Sequence, residues 1–346
     1  MLSKCDPKHF KVDIVAAEIC PSVFTETLAN NGIRFIELSG NQKLFIFNWI
    51  LFRRLLKKTH YDSVHLNLFH GMSLHYARIA KQEGVPIRIA HSHNSELRKS
   101  FFRPFKLVLH RIFVRTDLSC ATHLWACSEA AADFLFYPAV FHGRGIQIIP
   151  NGIDTERFRF RSDIRIQKRD DMGLSEKFII GHVGRMCYQK NQSFLLDIMA
   201  VMHRTDAVLL LVGTGEDLDE LKSKANDLGI SDRVIFYGSS KMVEELLWAM
   251  DVFVLPSKFE GLPVTLVEAQ SAGLYCIVSD KVSKESDLTD IVCFIPCDDP
   301  LEWVDALESV RFNEERSAYA GVVRSAGFDI ADISSMILNH YCRFEK

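Results

Sequence analysis

Short apolar runs that end near glycine alternate with stretches of helical spacing through the second half of the chain. The runs have the length and continuous apolar character of buried parallel strands, and the stretches between them repeat apolar residues every three or four positions. Strands are predicted over 178–184, 207–212, 234–238 and 250–255. Because strand, glycine turn and helix recur in this order, the pattern predicts an α/β fold with a doubly wound sheet. Its ligand loops should follow the carboxyl ends of the strands.

The first half repeats this pattern less regularly, with strands predicted over 10–15, 63–66 and 86–90. A chain of 346 residues with 48% apolar content is long enough to bury two cores. We therefore expect an N-terminal domain over 1–155, completed by a C-terminal helix over 330–346, and a second domain over 156–329. Both are expected to be Rossmann-like, with parallel sheets.

The segment from Ser257 to Gly273 places two carboxylates eight positions apart around the start of a predicted helix. Glu260 falls in a tight loop, Pro263 suits the first turn of the helix, and Glu268 lies about one turn inside it. Backbone amides at such a helix start can bind a phosphate, while the two carboxylates can accept hydrogen bonds from sugar hydroxyls. The alternative is a helix whose acids only favour its dipole.

The loop after the strand 178–184 carries Gly184, Arg185 and Lys190. Two cations on one strand-to-helix loop could neutralise a diphosphate, although Lys and Arg in loops are more often simply solvated. Gly213 and Gly238 end the next two strands, where a ligand can approach the backbone. Such glycine turns are also commonly structural.

The order and spacing of these segments resemble the retaining glycosyltransferases of family 4, which have the GT-B fold: two Rossmann-like doubly wound domains facing each other across a cleft. The resemblance covers roughly residues 60 to 335. A narrower similarity links the chain to the branch that builds bacterial capsular polysaccharides and exopolysaccharides. The residues that carry the broader likeness are Gly184-Arg185 with Lys190, Leu211 to Glu216, the E-x7-E pair Glu260 and Glu268, and Pro150 to Asp154; those that carry the narrower one are Arg88 to Ser95, Trp125 to Ser128 and Gly181 to Arg185.

The resemblance implies a role for each matching residue. Arg185 and Lys190 would hold the donor diphosphate and Glu268 the ribose, with Gly184, Gly213 and Gly238 close to the donor. Glu260 would hold the transferred hexose together with the backbone of Gly261, Leu262, Val264 and Thr265. The nucleotide sugar, most simply a UDP-sugar, is a co-substrate, and neither a cofactor nor a metal is expected. Asp217-Leu-Asp219 spells the D-x-D of metal-dependent transferases, but acids are ordinary at a helix start.

Candidate acceptor residues follow the strands of the first half. His91, His93 and Asn94 come directly after the strand 86–90, and Asn67 and His70 follow the strand 63–66. In the family a histidine at this position lies beside the transferred sugar, which favours His93 as a catalytic residue with Glu260, Arg185 and Lys190. A hydrogen-bonded structural histidine is the alternative.

The resemblance implies a retaining transfer to a saccharide or polyprenyl-linked acceptor in cell-surface polysaccharide synthesis. The family's usual first strand and glycine-rich loop have no counterpart before the strand 10–15, which leaves a truncated chain, a misassigned start and reduced activity open. Two other functions therefore stay open. One is a nucleotide-sugar epimerase of the same architecture, and the other is a non-catalytic partner that binds the nucleotide sugar in an assembly complex.

Charge is divided unevenly along the chain. Residues 1–150 carry 19 Lys and Arg against 11 Asp and Glu, a net charge of +8, and the remainder carries −11. Within the basic half, the segment 98–115 interleaves cations with large apolar residues, so it could lie on an anionic membrane or pack its apolar stripe on its own domain. No nucleic-acid motif accompanies it.

Neither a membrane-spanning run nor a signal peptide is visible in the sequence. Nine cysteines without metal or redox spacing fit a reducing compartment. We expect a cytoplasmic protein that could work at the inner face of the membrane.

Overall fold

The computed structural model describes residues 10–20, 23–94, 103–136 and 145–343, which belong to two compact units. The N-terminal unit comprises residues 1–150 together with 331–346, and the C-terminal unit comprises 151–330. The chain therefore passes from one unit to the other after Pro150 and returns after Ile330.

All twelve described strands pair in parallel with their neighbours. In chain order they are β1 (Asp13–Ala16), β2 (Arg34–Glu37), β3 (Ser63–Leu68), β4 (Ile87–Ser92), β5 (His123–Ala126), β6 (Ile146–Ile148), β7 (Phe178–Val183), β8 (Ala207–Val212), β9 (Val234–Gly238), β10 (Val252–Leu255), β11 (Tyr275–Ser279) and β12 (Val292–Ile295).

Helices connect these strands, as parallel pairing requires. In chain order they are α1 (Val23–Asn30), α2 (Phe45–Lys58), α3 (His75–Gln82), α4 (Arg103–Asp117), α5 (Glu129–Phe136), α6 (Thr155–Phe158), α7 (Ser162–Asp171), α8 (Gln192–Val201), α9 (Leu218–Asp227), α10 (Val243–Ala249), α11 (Val264–Ser271), α12 (Pro300–Ser309), α13 (Tyr319–Val323) and α14 (Ile330–Arg343).

The sheet of the C-terminal unit has the order β12-β11-β10-β7-β8-β9. Its first strand, β7, lies in the middle, so the winding reverses between β7 and β10, and ligands of such sheets bind beyond the carboxyl ends of the strands at this point. Alternate residues of β7, β8 and β10 enter two separate cores, one on each side of the sheet. This arrangement confirms the doubly wound α/β fold that the apolar runs predict.

The N-terminal unit has a four-stranded sheet in the order β3-β4-β5-β6 and a separate pair, β1-β2. The C-terminal helix α14 packs on the four-stranded sheet, since Ile333 and Ile337 share a buried cluster with Ile89 and Trp125.

Two strands of this sheet are longer than the sequence predicts. β3 and β4 stay paired through Asn67 with His91 and Leu68 with Ser92, so Asn67 and His91 lie inside strands and not after them. The predicted strands end too early because Asn67 and His91 are polar, and a polar residue normally marks the point where an apolar run stops.

Eight cysteines fall within the described ranges, and all eight are free thiols. No helix in the described part of the chain is both long and apolar enough to cross a bilayer. The predictions that rest on residues 98–102, on Ser95, on Cys5 and on 344–346 lie outside the described residues.

Candidate donor and acceptor sites

Three neighbouring loops of the C-terminal unit are joined through their backbones at the carboxyl edge of the sheet. The Gly184 amide donates to the Val212 carbonyl at 3.0 Å, and the Gly213 amide donates to the Gly238 carbonyl at 2.8 Å. Gly213 has a φ of 133°, and a methyl group on it would lie 2.1 Å from the Gly184 carbonyl oxygen. Only glycine permits this approach, so the three predicted donor glycines form one seam.

Lys190 and Glu260, which come from the loops after β7 and β10, form an ion pair at the switch point. The lysine Nζ lies 2.7 Å from the glutamate Oε1, and both side chains are largely buried, at 16% and 12% exposure. The Ser257 hydroxyl, itself fully buried, donates to the same oxygen at 3.2 Å. The Lys258 amide donates to the Gln189 carbonyl at 2.8 Å and ties the two loops together. The structure thus brings together the predicted diphosphate cation and the predicted hexose carboxylate.

Arg185 lies apart from this pair. Its side chain is 72% exposed, and Nε donates to Glu216 Oε2 at 2.9 Å. An exposed ion pair of this kind contributes little, on the order of 0 to 1 kcal/mol, so a ligand can replace the carboxylate at small cost. Glu216 was missed as a partner because the sequence separates it from Arg185 by 31 positions.

A buried histidine, His182, helps to hold the loop after β7 in position. His182 Nδ1 lies 2.9 Å from the Val254 carbonyl, to which it must donate, and Gln192 Nε2 lies 3.1 Å from the other ring nitrogen. Gln192 Nε2 also donates to the Arg185 carbonyl at 2.9 Å. Burial, and to a lesser degree the Lys190 charge, lowers the pKa of His182 to about 4, so the ring is neutral at pH 7. The sequence feature that indicates this contact is a histidine inside an otherwise apolar strand.

Helix α11 starts at Val264 without a side-chain cap from Pro263, and the Leu266 amide donates to the Pro263 carbonyl at 3.0 Å. Gly261 and Leu262 lie in the preceding loop, which is anchored where the Ser283 amide donates to the Glu260 carbonyl at 3.1 Å. The Thr265 hydroxyl is buried and has no hydrogen-bond partner among the described residues. The predicted helix start is confirmed, whereas the phosphate site at this helix start stays a prediction.

Glu268 lies one turn into α11, as predicted, and is partly buried. Burial raises the pKa of Glu268 to about 7; the Arg157 charge opposes this shift and the Glu244 charge adds to it. Arg157 is already paired with Glu244 at 2.8 Å. A partly buried carboxyl whose pKa is raised in this way is a candidate for a ligand-binding group.

Three predicted acceptor residues of the N-terminal unit lie together. His93 Nε2 is 2.9 Å from Asn67 Oδ1, to which it donates, and the His91 and His93 rings are 4.2 Å apart. Desolvation by burial lowers the pKa of His93. His93 is thus held neutral, with Nε2 protonated and Nδ1 able to accept a proton or a hydrogen bond.

His91 belongs to a chain of contacts that leads away from His93. His91 Nδ1 is 3.0 Å from His65 Nε2, and His65 Nδ1 is 2.5 Å from the Tyr341 hydroxyl on α14. Burial lowers the pKa of His91 to about 2 and that of His65 to about 4. His91 is only 5% exposed, which favours the structural alternative for this histidine. Sequence reasoning missed His65 and Tyr341 because they lie 276 positions apart.

The two remaining acceptor candidates, Asn94 and His70, contact residues that follow β3. Asn94 Nδ2 donates to the Phe69 carbonyl at 3.3 Å. His70 lies 3.4 Å through Nδ1 from the Ser73 hydroxyl, and its ring meets the Phe45 ring edge-on at 6.3 Å. Among the described residues, no group of three His, Cys, Asp or Glu side chains could hold a metal ion.

Two Rossmann-like units with parallel sheets, and loops at a switch point that offer amides, a cation and carboxylates, define the GT-B class of glycosyltransferase. The family model for "Glycosyltransferase Family 4" matches residues 4–157, and that for "Glycosyl transferases group 1" matches residues 177–311. The putative glycosyltransferase EpsF of Bacillus subtilis is 33% identical over 98% of this chain and 90% of its own length. The chain belongs to the family 4, or group 1, glycosyltransferases.

Two further similarities extend the comparison. The UDP-Gal:alpha-D-GlcNAc-diphosphoundecaprenol alpha-1,3-galactosyltransferase of Escherichia coli is 31% identical over 79% of this chain and 72% of its own length. Anabaena HepE, solved in complex with UDP, superposes with a TM-score of 0.79 at 19% identity, covering 99% of this chain and 94% of that one. The second similarity supports the fold alone.

Proposed function

We propose that the protein transfers a hexose from a UDP-sugar to a saccharide or lipid-linked saccharide acceptor in cell-surface polysaccharide synthesis, with retention at the anomeric carbon. The Escherichia coli relative is named for a UDP-sugar donor and a diphosphoundecaprenol-linked acceptor, and HepE was solved with UDP. The name of the Escherichia coli relative supports a uridine nucleotide as the donor. A nucleotide-sugar donor favours a reaction in the cytoplasm, and a lipid-linked acceptor favours the inner face of the membrane.

The observation that carries this proposal is the buried Lys190–Glu260 pair beside the uncapped start of α11. A diphosphate that reaches the amides of α11 takes over the lysine, because two phosphate charges outweigh one carboxylate. The Glu260 oxygen is then free to accept hydrogen bonds from hexose hydroxyls. Glu268, one turn further along, accepts from the ribose.

The charges at this site favour departure of the nucleotide. As the bond from the anomeric carbon to the diphosphate breaks, negative charge grows on the phosphate oxygens, and Lys190, the α11 amides and a reoriented Arg185 stabilise that charge. The acceptor hydroxyl attacks from the face that the diphosphate leaves, and its proton passes to a leaving phosphate oxygen. This route requires neither a second carboxylate nucleophile nor a metal.

His93 is the residue that we assign to the reacting sugars in the N-terminal unit. Asn67 fixes the tautomer of His93 and leaves Nδ1 as an acceptor, so the neutral ring can orient a hydroxyl without adding positive charge near a developing cation.

The test is incubation of the purified chain with radiolabelled UDP-hexoses and a lipid extract. We expect label in the lipid fraction, with an α-configured product by NMR from an α-configured donor. Label that stays on an isomerised nucleotide sugar would indicate an epimerase. No turnover with any donor, despite donor binding, would indicate a non-catalytic binding protein and would overturn the proposal.

A further inference from the structure

Three histidines of the N-terminal unit lie side by side on the four-stranded sheet. His65 of β3 and His91 of β4 stack with their ring centroids 5.2 Å apart, and the His93 ring lies 4.2 Å beyond the His91 ring. Trp125 of β5 meets both His65 and His91 edge-on, at 5.2 Å and 5.9 Å. We call the three histidines the histidine column. It leads from the interior of the unit to the residue that we assign to the reacting sugars.

Helix α14 contributes a tyrosine to the inner end of the histidine column. Ile333 and Ile337 hold α14 on this face of the sheet, and Tyr341 follows them at the same four-residue spacing. The Tyr341 hydroxyl lies 2.5 Å from His65 Nδ1, and His65 Nε2 lies 3.0 Å from His91 Nδ1. Both ring nitrogens of His65 are therefore used, and His65 links the tyrosine to His91.

The hydrogen bonds along the histidine column can run in only two directions, because a neutral imidazole carries one N–H. Burial keeps His65 and His91 neutral, since it lowers their pKa values to about 4 and about 2. If Tyr341 donates to His65 Nδ1, then His65 donates through Nε2 to His91 Nδ1, and the N–H of His91 lies on Nε2. If His91 donates through Nδ1, every bond is reversed.

The backbone near His91 favours the first direction. A contact with the Ile149 backbone opposes the lowering of the His91 pKa. The Ile149 amide already donates to the Ala126 carbonyl, so the contact is with the Ile149 carbonyl, which can only accept. His91 must then carry its N–H on Nε2, and the Tyr341 hydroxyl must be the donor at the other end.

Packing alone does not explain these polar residues. Ile333 and Ile337 already attach α14 to the sheet, and apolar side chains in place of His65 and His91 would add to that contact. His91 Nε2 is buried and makes no hydrogen bond of regular geometry among the described residues, which costs stability. Residues that break the rules of core packing in this way are expected at functional sites.

We propose that Tyr341 is a positioning residue for His93. Its hydroxyl fixes the tautomer and the ring plane of His65 and, through that ring, of His91. The His91 ring then holds the His93 ring by direct contact, while Asn67 holds His93 Nε2. This inference rests on the proposed function, in which His93 Nδ1 orients a sugar hydroxyl. Without the tyrosine hydroxyl, the column exchanges tautomers and His93 loses its fixed orientation.

Tyr341→Phe tests the inference, because it removes the hydroxyl and keeps the ring. We expect kcat to fall by about tenfold, since small displacements of a group beside the reacting atoms are costly. The KM for the UDP-sugar and the affinity for UDP should not change, because the predicted donor residues belong to the other unit. Tyr61→Phe is the matched control: its hydroxyl lies 2.5 Å from Asp13 Oδ2 in the N-terminal unit, outside the column. It should keep the kcat of the wild type.

NMR spectra of histidine-labelled protein give a second measurement that a merely structural tyrosine would not affect. Long-range proton–nitrogen correlations identify the tautomer of each ring, and the signals are assigned with single His→Gln variants. We expect the N–H on Nε2 in all three rings of the wild type and of Tyr61→Phe. Tyr341→Phe should give mixed tautomers at His65 and His91. Circular dichroism melts establish that each variant is folded.

His65→Phe tests whether the tyrosine acts through the histidine column. This substitution keeps a ring at the position and removes both hydrogen bonds, so kcat should fall about as far as in Tyr341→Phe. The double variant should lose no more than the weaker single variant, because both changes break the same path. Losses that multiply in the double variant would contradict an action through His65.

Three further results would overturn the inference: the kcat of the wild type in Tyr341→Phe, equal losses of kcat in Tyr341→Phe and Tyr61→Phe, or unchanged histidine tautomers in Tyr341→Phe. His93→Ala separates this inference from the proposed function. Full turnover by His93→Ala would contradict the role of His93 in the proposed function, whereas loss of turnover there and full turnover by Tyr341→Phe would contradict only the positioning role. The spectra need no substrate, so they test the column even if the wild type shows no turnover.

Discussion

At the scale of single residues, the free protein satisfies its donor-site charges with its own side chains. Lys190 is paired with Glu260, and Arg185 with Glu216. The largely buried pair is well placed for exchange, because a diphosphate can replace the carboxylate without leaving the lysine unpaired. Donor binding on this account is an exchange of partners and not the filling of an empty cationic site.

Glu268 behaves differently, because burial raises its pKa to about 7 and only the already paired Arg157 opposes this shift. A carboxyl whose pKa is raised in the folded state favours folding below its unfolded pKa and loses that contribution as pH rises through the folded value. Glu268→Gln should therefore increase the free energy of unfolding at about pH 8.5, by on the order of 1 to 3 kcal/mol, with no gain at about pH 4. Urea denaturation at the two pH values measures this difference. The exposed Glu176→Gln is the control, and an equal effect of both substitutions would contradict the account.

At the scale of elements, the strand-end loops are positioned by their contacts with one another. Gly213 sits between the loops after β7 and β9, and its backbone leaves no room for a side chain. The alternating burial of β7, β8 and β10 then fixes the loop ends relative to the two cores. Because the backbones of three loops contact one another, a substitution that moves one loop should displace the others as well.

Gly213→Ala tests this seam. The added methyl would meet a backbone oxygen at 2.1 Å, and φ is 133°, so the substitution should cost about 3 kcal/mol or more of unfolding free energy and should weaken UDP binding. Gly229→Ala is the matched control, because Gly229 also has a positive φ, 69°, but open space around it. Its cost should be about 1 kcal/mol. If Gly213→Ala and Gly229→Ala lose equal unfolding free energy in thermal or urea unfolding, the seam does not position the loops.

Much of this arrangement could be predicted from the sequence, because apolar runs and glycine turns are local signals. The strands β7 to β10, the helix start at Val264 and the place of Glu268 one turn inside α11 all follow from such signals. The Arg185–Glu216 and Lys190–Glu260 pairs do not, because they join residues on different strand-end loops. The same is true of the His65–Tyr341 contact across the N-terminal unit. Pairing across a sheet depends on register and rotamer, which periodicity does not contain.

At the scale of the whole molecule, chemistry is divided between the two units. The C-terminal unit, whose sequence has a net negative charge, holds the buried Lys190 in the predicted donor site, whereas the N-terminal unit carries the net positive charge and exposes large apolar side chains on helices α2 and α4. This division is consistent with the proposed function, in which the donor is anionic and soluble and the acceptor is a saccharide or a lipid-linked saccharide.

The central claim is that Lys190, Glu260 and Glu268 form one uridine-diphosphate-sugar site, and calorimetric titration of UDP into wild-type protein, Lys190→Ala and Glu268→Ala tests it most directly. The account predicts that each substitution weakens binding by about tenfold or more, since each removes a charged partner of the ligand. Lys177→Ala, which removes an exposed lysine from a turn of the same unit, should bind UDP as the wild type does. Unchanged affinity in both site variants, with folding intact by circular dichroism, would contradict the claim.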